Sequence, residues 1–408
     1  MDSPNKMQKD LPMIPHSTLN SALPPEVDVI VIGGGLLGSA LSYYLAVEGV
    51  EVLLLERGEL NREASGTNAG SFHFQIALHQ LTSNNSGEDE KRLLGEVKLQ
   101  LDAARLWGEL EKELNADLGV HTTGGLMVAE SKEELQVLRD KQRIEEMAGL
   151  ETHVLTGSEM INFAPYLSHN LTGIAYCPQE GHANPLIVAP IYAARAHERG
   201  AQVRTHAPVE SIEILNGLSP YRFAVKTPSG IIHCRRIVDA AGAWAADVAA
   251  MVGLRLPLGL EGLHVNVTEP HEHFLKPMIQ HIGKRLTLKQ TSNNTFIIGG
   301  GWPARKENYP ARYSNIWDSA AGNIAIAVRV LPVLKEVKLV RTWAGIWAYT
   351  KDFAPIVGES SIVPGFHVVM APTGFTLGPM VAKLLTESMT SHSTQDLIPA
   401  TYSTDRGM

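Results

Sequence analysis

The 408-residue sequence predicts an α/β protein whose first layer is a parallel sheet covered on both faces. Three observations predict it. Val29 to Ile32 is an unbroken β-branched run, as a strand buried on both sides requires. The run breaks at Gly33-Gly34-Gly35 and passes through Leu36, Leu37 and Gly38 into a helical stretch. Near the C-terminus the same logic returns: a strand, His367 to Met370, leads through Pro372-Thr373-Gly374 into a helix.

Gly33, Gly35 and Gly38 fill the slots of G-x-G-x-x-G. The first glycine permits a tight turn, the second lets a pyrophosphate approach the backbone, and the third lets helix and strand pack closely. Ser39 to Glu48 reads as the helix, with its positive dipole end toward the pyrophosphate and Gly49 as its stop. Val52 to Leu55 forms a second strand, ending in Glu56, 18 positions after Gly38. An acid there accepts hydrogen bonds from a ribose diol and repels a 2′-phosphate, which disfavours NADP. Strand, helix, strand and acid in this order make a Rossmann-type dinucleotide site. The motif by itself leaves FAD and NAD both open.

Lys and Arg number 35 against 43 Asp and Glu, and a net charge of −8 argues against a nucleic-acid surface. The length suits two domains. Cys177 and Cys234 form no C-x-x-C pair, so this chain alone holds neither a zinc knuckle nor an iron–sulfur cluster. Reduced thiols in a cytoplasmic protein are the expectation, with a disulfide left open. The 16 histidines are not spaced as a metal site. No apolar stretch reaches the roughly 18 residues of a membrane helix. Residues 1–26 are polar and carry five prolines, and they read as a flexible leader, with a partner-binding arm as the alternative.

Residues 63–73 are small-sided and without periodicity, so they read as a loop that is either a simple connection or a source of N–H groups for a cofactor's phosphates and ring. Residues 81–91 read as an exposed excursion, 92–118 as a packing helix, 124–131 as a strand and 133–148 as a charged surface helix. Strands are expected at 171–177, 202–205, 209–214, 221–227 and 231–235, and a helix at 186–199. The apolar run before Ala241-Gly242 is a strand whose end admits something flat, and a small-residue helix starts at Trp244. Antiparallel-looking strands follow at 263–268, 285–289 and 295–299, then a helix at 316–330 stopped by Pro332.

The segments VIGGGLLG, LLLERG, VDAAGAWA, RTWAG with PIVG, and TGFTLGP, in this order, resemble the D-amino-acid-oxidase-like flavoproteins such as glycine and sarcosine oxidase. The stretches GGLMVAES, YCPQEGHANP and RLTLKQTSNNTFIIGG most resemble FAD-carrying β subunits of hetero-oligomeric opine oxidases, D-hydroxyproline dehydrogenase and hydrogen cyanide synthase. The resemblance implies FAD and a discontinuous Rossmann-type FAD-binding domain (27–110, 180–255 and 340–395). It also implies an α+β substrate domain on a mixed or antiparallel sheet (111–179 and 256–339). It implies cofactor contacts from Gly33, Gly35, Leu36, Leu37 and Gly38 at the pyrophosphate and from Glu56 and Arg57 at the adenosine side. Ser65, Gly66, Thr67, Asn68, Ala69 and Gly70 would line the pyrophosphate and isoalloxazine. Val209 would touch the adenine end, with Ala241, Gly242 and Trp244 beside the FAD. Gly345, Thr373, Gly374, Phe375, Thr376 and Leu377 would hold the pyrimidine side.

The sequence departs from the resembled pattern at one place. An arginine that clamps a substrate carboxylate, or a flavin-linking cysteine, is replaced by Trp347, so the flavin is expected to be non-covalent at this point. Trp347 is either a wall for a bulkier amine or a core residue, and Tyr349 either offers a hydroxyl or packs. His264 is a pocket candidate whose alternative is a structural role. Arg285, expected on a strand, is a replacement carboxylate partner or a surface residue. His182 hints at an FMN at a subunit interface.

The leading expectation is an FAD-dependent amine or amino-acid dehydrogenase. It would act on a small-molecule substrate and pass electrons to partner subunits carrying FMN or an iron–sulfur centre. A stand-alone oxidase, a flavin-bound assembly subunit and an NAD-dependent dehydrogenase are the alternatives.

Overall fold

A computed structural model describes residues 12–81, 87–216, 220–307, 312–391 and 398–406 of the chain. The expected opening forms as strand Glu26–Ile32, helix Leu36–Val47 and strand Val52–Leu55. The helix starts three residues before the expected Ser39, since Gly35 already serves as its N-cap. Gly49, at φ 76°, follows its end. Val29 and Val31 enter one apolar core, and Ile30 and Ile32 enter another on the opposite face. Two buried faces explain why the run carries no polar alternation.

The first sheet runs in the order Ile356–Glu359, Phe366–Met370, Gly230–Asp239, Glu26–Ile32, Val52–Leu55, Gln202–Arg204. Its central pairs are parallel, and the outermost, Ile356–Glu359 on Phe366–Met370, is antiparallel. Phe223–Thr227 folds back on Gly230–Asp239 and pairs in turn with Ser211–Ile214. Helices Leu36–Val47, Gly87–Glu113, Val188–Glu198 and Gly374–Thr390 contribute to the core on one face.

The second sheet is mixed, in the order Leu339–Thr350, Leu258–Pro270, Thr295–Gly299, Thr287–Gln290, Met278–His281, Gly125–Ala129, Gly173–Cys177, His153–Thr156. Met278–His281 and Gly125–Ala129 pair in parallel, and the other pairs are antiparallel. Helix Trp317–Val330 covers the core behind it. The expected domain boundary at residue 340 falls at the start of strand Leu339–Thr350. Its long pairing with Leu258–Pro270 places that strand in the second sheet.

Several local expectations change. Residues 87–91 belong to the long helix Gly87–Glu113, while 82–86 lie outside the described residues. The small-sided loop contains a helix, Ala64–Thr67, and a short strand, Ser71–Phe72. The end of the leader is held rather than free: Arg204 Nε donates to Ser21 O at 2.9 Å and its Nη2 to Ala22 O at 3.0 Å. Residues 1–11 lie outside the described residues. Helix Lys132–Ala148 opens with a Ser131–Glu134 capping box and buries Lys141 and Glu145, so it is not simply a surface helix. Cys177 and Cys234 are both buried and free. Among the described residues no helix is long and apolar enough to cross a membrane.

Candidate active site

The carboxyl ends of the central strands in the first sheet open into a cavity of about 1050 Å³, whose other walls come from the second sheet. Open α/β sheets bind ligands at this edge. The volume lies at the top of the usual range for organic ligands.

The glycine turn forms one end. Gly33 sits at φ 113°, and a Cβ there would stand 2.6 Å from Ala240 O. Gly35 faces Ser65, whose Oγ accepts the Leu36 N–H at 2.9 Å. The remaining first-turn N–H groups have no intrahelical partner. Gly38 does not line the cavity; a Cβ on it would overlap Gly33 O, so it sets the closeness of helix to turn. Glu56 accepts the Gly34 N–H on Oε2 and the Gly58 N–H on Oε1, both at 2.7 Å. Each oxygen retains acceptor capacity. The Arg57 guanidinium lies 3.6 Å over the Trp244 ring and pairs with Glu63 at 3.1 Å. Leu36, Leu37, Val209, Ala241 and Gly242 line the cavity as well.

Thr67, Asn68, Ala69 and Gly70 line its middle, while Gly66 packs behind, against Asn61. This loop docks onto the second sheet. Trp343 Nε1 donates to Thr67 O at 2.8 Å, and a Cβ on Gly345 would come 2.5 Å from Thr67 Oγ1. Thr373, Gly374, Phe375 and Thr376 line the cavity, but Leu377 turns into the core. Buried Trp107 fixes that turn by donating from Nε1 to Thr376 O at 2.8 Å.

Trp347 and Tyr349 both reach the cavity. Trp347 Nε1 donates to Pro372 O at 2.7 Å, and its ring stacks on Tyr349 at 4.8 Å and on Phe353 at 5.9 Å. Tyr349 donates to Glu261 Oε1 at 3.3 Å. His264 borders the cavity, but its Nε2 accepts the Ile316 N–H at 2.9 Å, and burial lowers its pKa. It thereby holds the start of helix Trp317–Val330. Arg285 lies on the turn before strand Thr287–Gln290, not on a strand. Its Nη1 donates to Gly301 O at 2.7 Å. His182 stands away from the cavity with its ring 5.0 Å from that of His121.

One buried cluster escaped the sequence reading. Glu180, from the turn-like PQEGHANP stretch, accepts the Phe74 and Gln75 N–H groups at 2.8 and 2.9 Å and Gln75 Nε2 at 2.9 Å. Gln280 Nε2 donates to it at 3.2 Å. Burial pushes the Glu180 carboxyl up. Gly125 makes the room, since a Cβ there would overlap Glu180. This hub fixes His73 and Gln75 on the cavity wall. Burial lowers the His73 pKa to about 4, which leaves a neutral imidazole at the wall. The only sequence signal was the position of His73 and Gln75, at the end of the small-sided loop and just beyond it.

A Rossmann-type layer with a large cavity at its strand ends, walled by a mixed sheet, defines a dinucleotide-dependent class of enzyme. The chain belongs to the DAO family of FAD dependent oxidoreductases, matched over residues 28–388. It is 29% identical over 383 residues to one of the subunits of the opine oxidase of Agrobacterium tumefaciens (strain Ach5), covering 91% of this chain and 95% of that protein. It is 28% identical over 366 residues to the mitochondrial sarcosine dehydrogenase of Homo sapiens, covering 85% of this chain and 37% of that longer protein. Among solved structures, the L-proline dehydrogenase of P. horikoshii superposes with a TM-score of 0.82 at 23% identity, covering 94% of this chain and 98% of that one. The cavity fits FAD: the turn at Gly33 leaves backbone exposed where a side chain would otherwise stand, and the wide lumen continues past it to Thr373 and Trp347.

Proposed function

We propose that the chain oxidises a C–N bond of an amino acid, secondary amino acid or opine. It does so as the non-covalent FAD subunit of a hetero-oligomeric dehydrogenase. The observation that carries this reading is the meeting of three glycine-containing strand ends, at Gly33, Gly242 and Gly374, in one cavity that continues to Trp347 and Tyr349. End-to-end similarity to a protein named as a subunit of opine oxidase supports the subunit role.

In this reading the first sheet carries the FAD-binding unit and the second the substrate unit. First-turn N–H groups of helix Leu36–Val47 would receive the pyrophosphate, and Glu56 would accept the ribose hydroxyls. The N-terminus of helix Gly374–Thr390 faces the pyrimidine side, where its dipole favours negative charge. FAD held there would supply the acceptor for a hydride from the carbon beside the amine nitrogen, and the imine product would be released to hydrolysis by water. The protein holds the reactants together and excludes water. Trp347 and Tyr349 bound the substrate space.

The electrons leave through a partner subunit carrying FMN or an iron–sulfur centre. A contact site for FMN near His182 belongs to the same reading; that imidazole stands 5.0 Å, ring to ring, from His121. The test is anaerobic titration of the FAD-loaded protein, with and without co-purified partners, against opines, secondary amino acids and D-amino acids. Bleaching of the flavin by one of these classes is expected. A flavin that no amine reduces, even with partners present, refutes the reading. Stoichiometric hydrogen peroxide from the isolated chain would select the stand-alone oxidase instead.

A further inference from the structure

Strands Leu258–Pro270 and Leu339–Thr350 pair in a register that sets Glu261 opposite Trp347 and Gly259 opposite Tyr349. Directly opposed residues share one face of a sheet. Glu261, Trp347 and Tyr349 all line the cavity, and Phe353 joins them from the turn that follows. Gly259 has no side chain, and a Cβ there would overlap the Tyr349 ring, so the ring lies across bare backbone.

The three rings are nearly parallel, at interplanar angles of 28°, 18° and 15°. Their centroids stand 4.8, 5.9 and 5.8 Å apart. Separations this similar describe a triangle, not a column, so no ring is sandwiched between the other two. All three rings line the cavity, and each is only partly buried. Phe353 is held at φ 58°, a left-handed conformation that a bulky residue adopts only under constraint. The Phe353 N–H donates to Thr350 O at 3.0 Å, and Arg406 Nη2 grips Ala354 O at 2.6 Å. Such local strain concentrates at ligand clamps.

Glu261 completes the wall. Its carboxylate takes a hydrogen bond from the Tyr349 hydroxyl, and among the described residues it makes no ion pair. The carboxylate's negative charge raises the pKa of the Tyr349 phenol. Aromatic faces beside an uncompensated carboxylate attract organic cations by two additive terms.

We propose that Glu261, Trp347, Tyr349 and Phe353 form a cation subsite that selects substrates bearing a guanidinium or ammonium group in addition to the amine that is oxidised. This rests on the amine-oxidising reading above and narrows its substrate class to dibasic compounds.

Four matched secondary amino acids test it: Nα-methylarginine and Nα-methyllysine, and their uncharged counterparts Nα-methylcitrulline and Nα-methylnorleucine, each as both stereoisomers. Rapid anaerobic flavin reduction gives one readout with the FAD-loaded protein. Calorimetric binding to the same protein gives a second that needs no turnover. The cationic member of each pair is expected to bind and reduce about tenfold better, and the ratio to collapse toward one in Glu261→Gln. Tyr349→Leu, with its bound FAD counted, is expected to lower the same ratio without removing the carboxylate. The relative response to guanidinium and ammonium shows which cation is preferred. A cation preference in binding without any flavin reduction keeps the subsite and refutes the amine-oxidising reading. Reduction with no cation preference, or a preference that Glu261→Gln leaves intact, overturns the subsite alone. Absence of both overturns the two together.

Discussion

Lys141 Nζ lies 2.9 Å from Glu145 Oε1 on consecutive turns of one helix, and neither side chain has any exposure. Lys141 also donates to Gln75 Oε1 at 2.8 Å, and Glu145 accepts the Ile76 N–H at 2.7 Å. The pair thus anchors, through Gln75, the same cavity wall that Glu180 holds. Lys141→Met leaves a buried carboxylate without its counter-ion and is expected to destabilise by about 3–5 kcal/mol. Joining it with Glu145→Leu is expected to recover much of that loss, because paired removal spares the unpaired charge. Chemical denaturation of the single and double variants checks both expectations.

Gly38→Ala drives a methyl group into Gly33 O, so the helix must move off the turn. A cost of about 1–3 kcal/mol is expected, as for other overpacked sites. Loss of bound flavin is expected with it, since the glycine turn that lines the cavity moves too. The ratio of visible flavin absorbance to protein, with the unfolding midpoint, measures the two effects.

The Trp347 indole N–H holds Pro372 O, on the turn that begins helix Gly374–Thr390. Trp347→Phe keeps the ring stack and removes this bond. A net worth of about 0.5–1.5 kcal/mol translates to roughly two- to tenfold weaker FAD binding. Titration of the apoprotein with FAD tests it.

Burial lowers the pKa of His73 from 6.5 to about 4. Burial, then the charges of Lys289, His121 and His273, lowers that of His182 from 6.5 to about 3. Both imidazoles are neutral in the folded protein at pH 7, while their unfolded counterparts begin to take up protons near pH 6.5. Stability present above pH 6.5 is therefore lost as the pH falls, through the window down to about 4 for His73 and about 3 for His182. Each group adds a slope approaching about 1.4 kcal/mol per pH unit within its window. His73→Asn and His182→Asn are each expected to flatten the acid limb of a stability–pH curve.

Arg204 is 6% exposed and ties the N-terminal segment to the first sheet through Ser21 O and Ala22 O. Arg204→Ala is expected to expose residues near 20 to proteases while the remainder of the chain resists. Limited proteolysis with mass analysis of the fragments decides the outcome.

The sequence by itself determined the β–turn–α–β opening, because its signals are local. A β-branched run, glycines whose absent side chains the turn demands, and an acid at the next strand end act within some 30 residues. The same locality made the strand–glycine–helix passage at Thr373 legible. Tertiary structure decided what depends on partners far along the chain. Lys141 and Glu145 look like solvated charges until the folded layers close over them. Glu180 looks like a turn residue until it meets Gln75 and Gln280. Arg285 moves from an expected strand onto a turn, and His264 commits its Nε2 to the Ile316 N–H. Trp347 meets Glu261 only once strands Leu258–Pro270 and Leu339–Thr350 pair and set the two opposite each other. Burial and strand register are sums over distant contacts, and no local pattern encodes them.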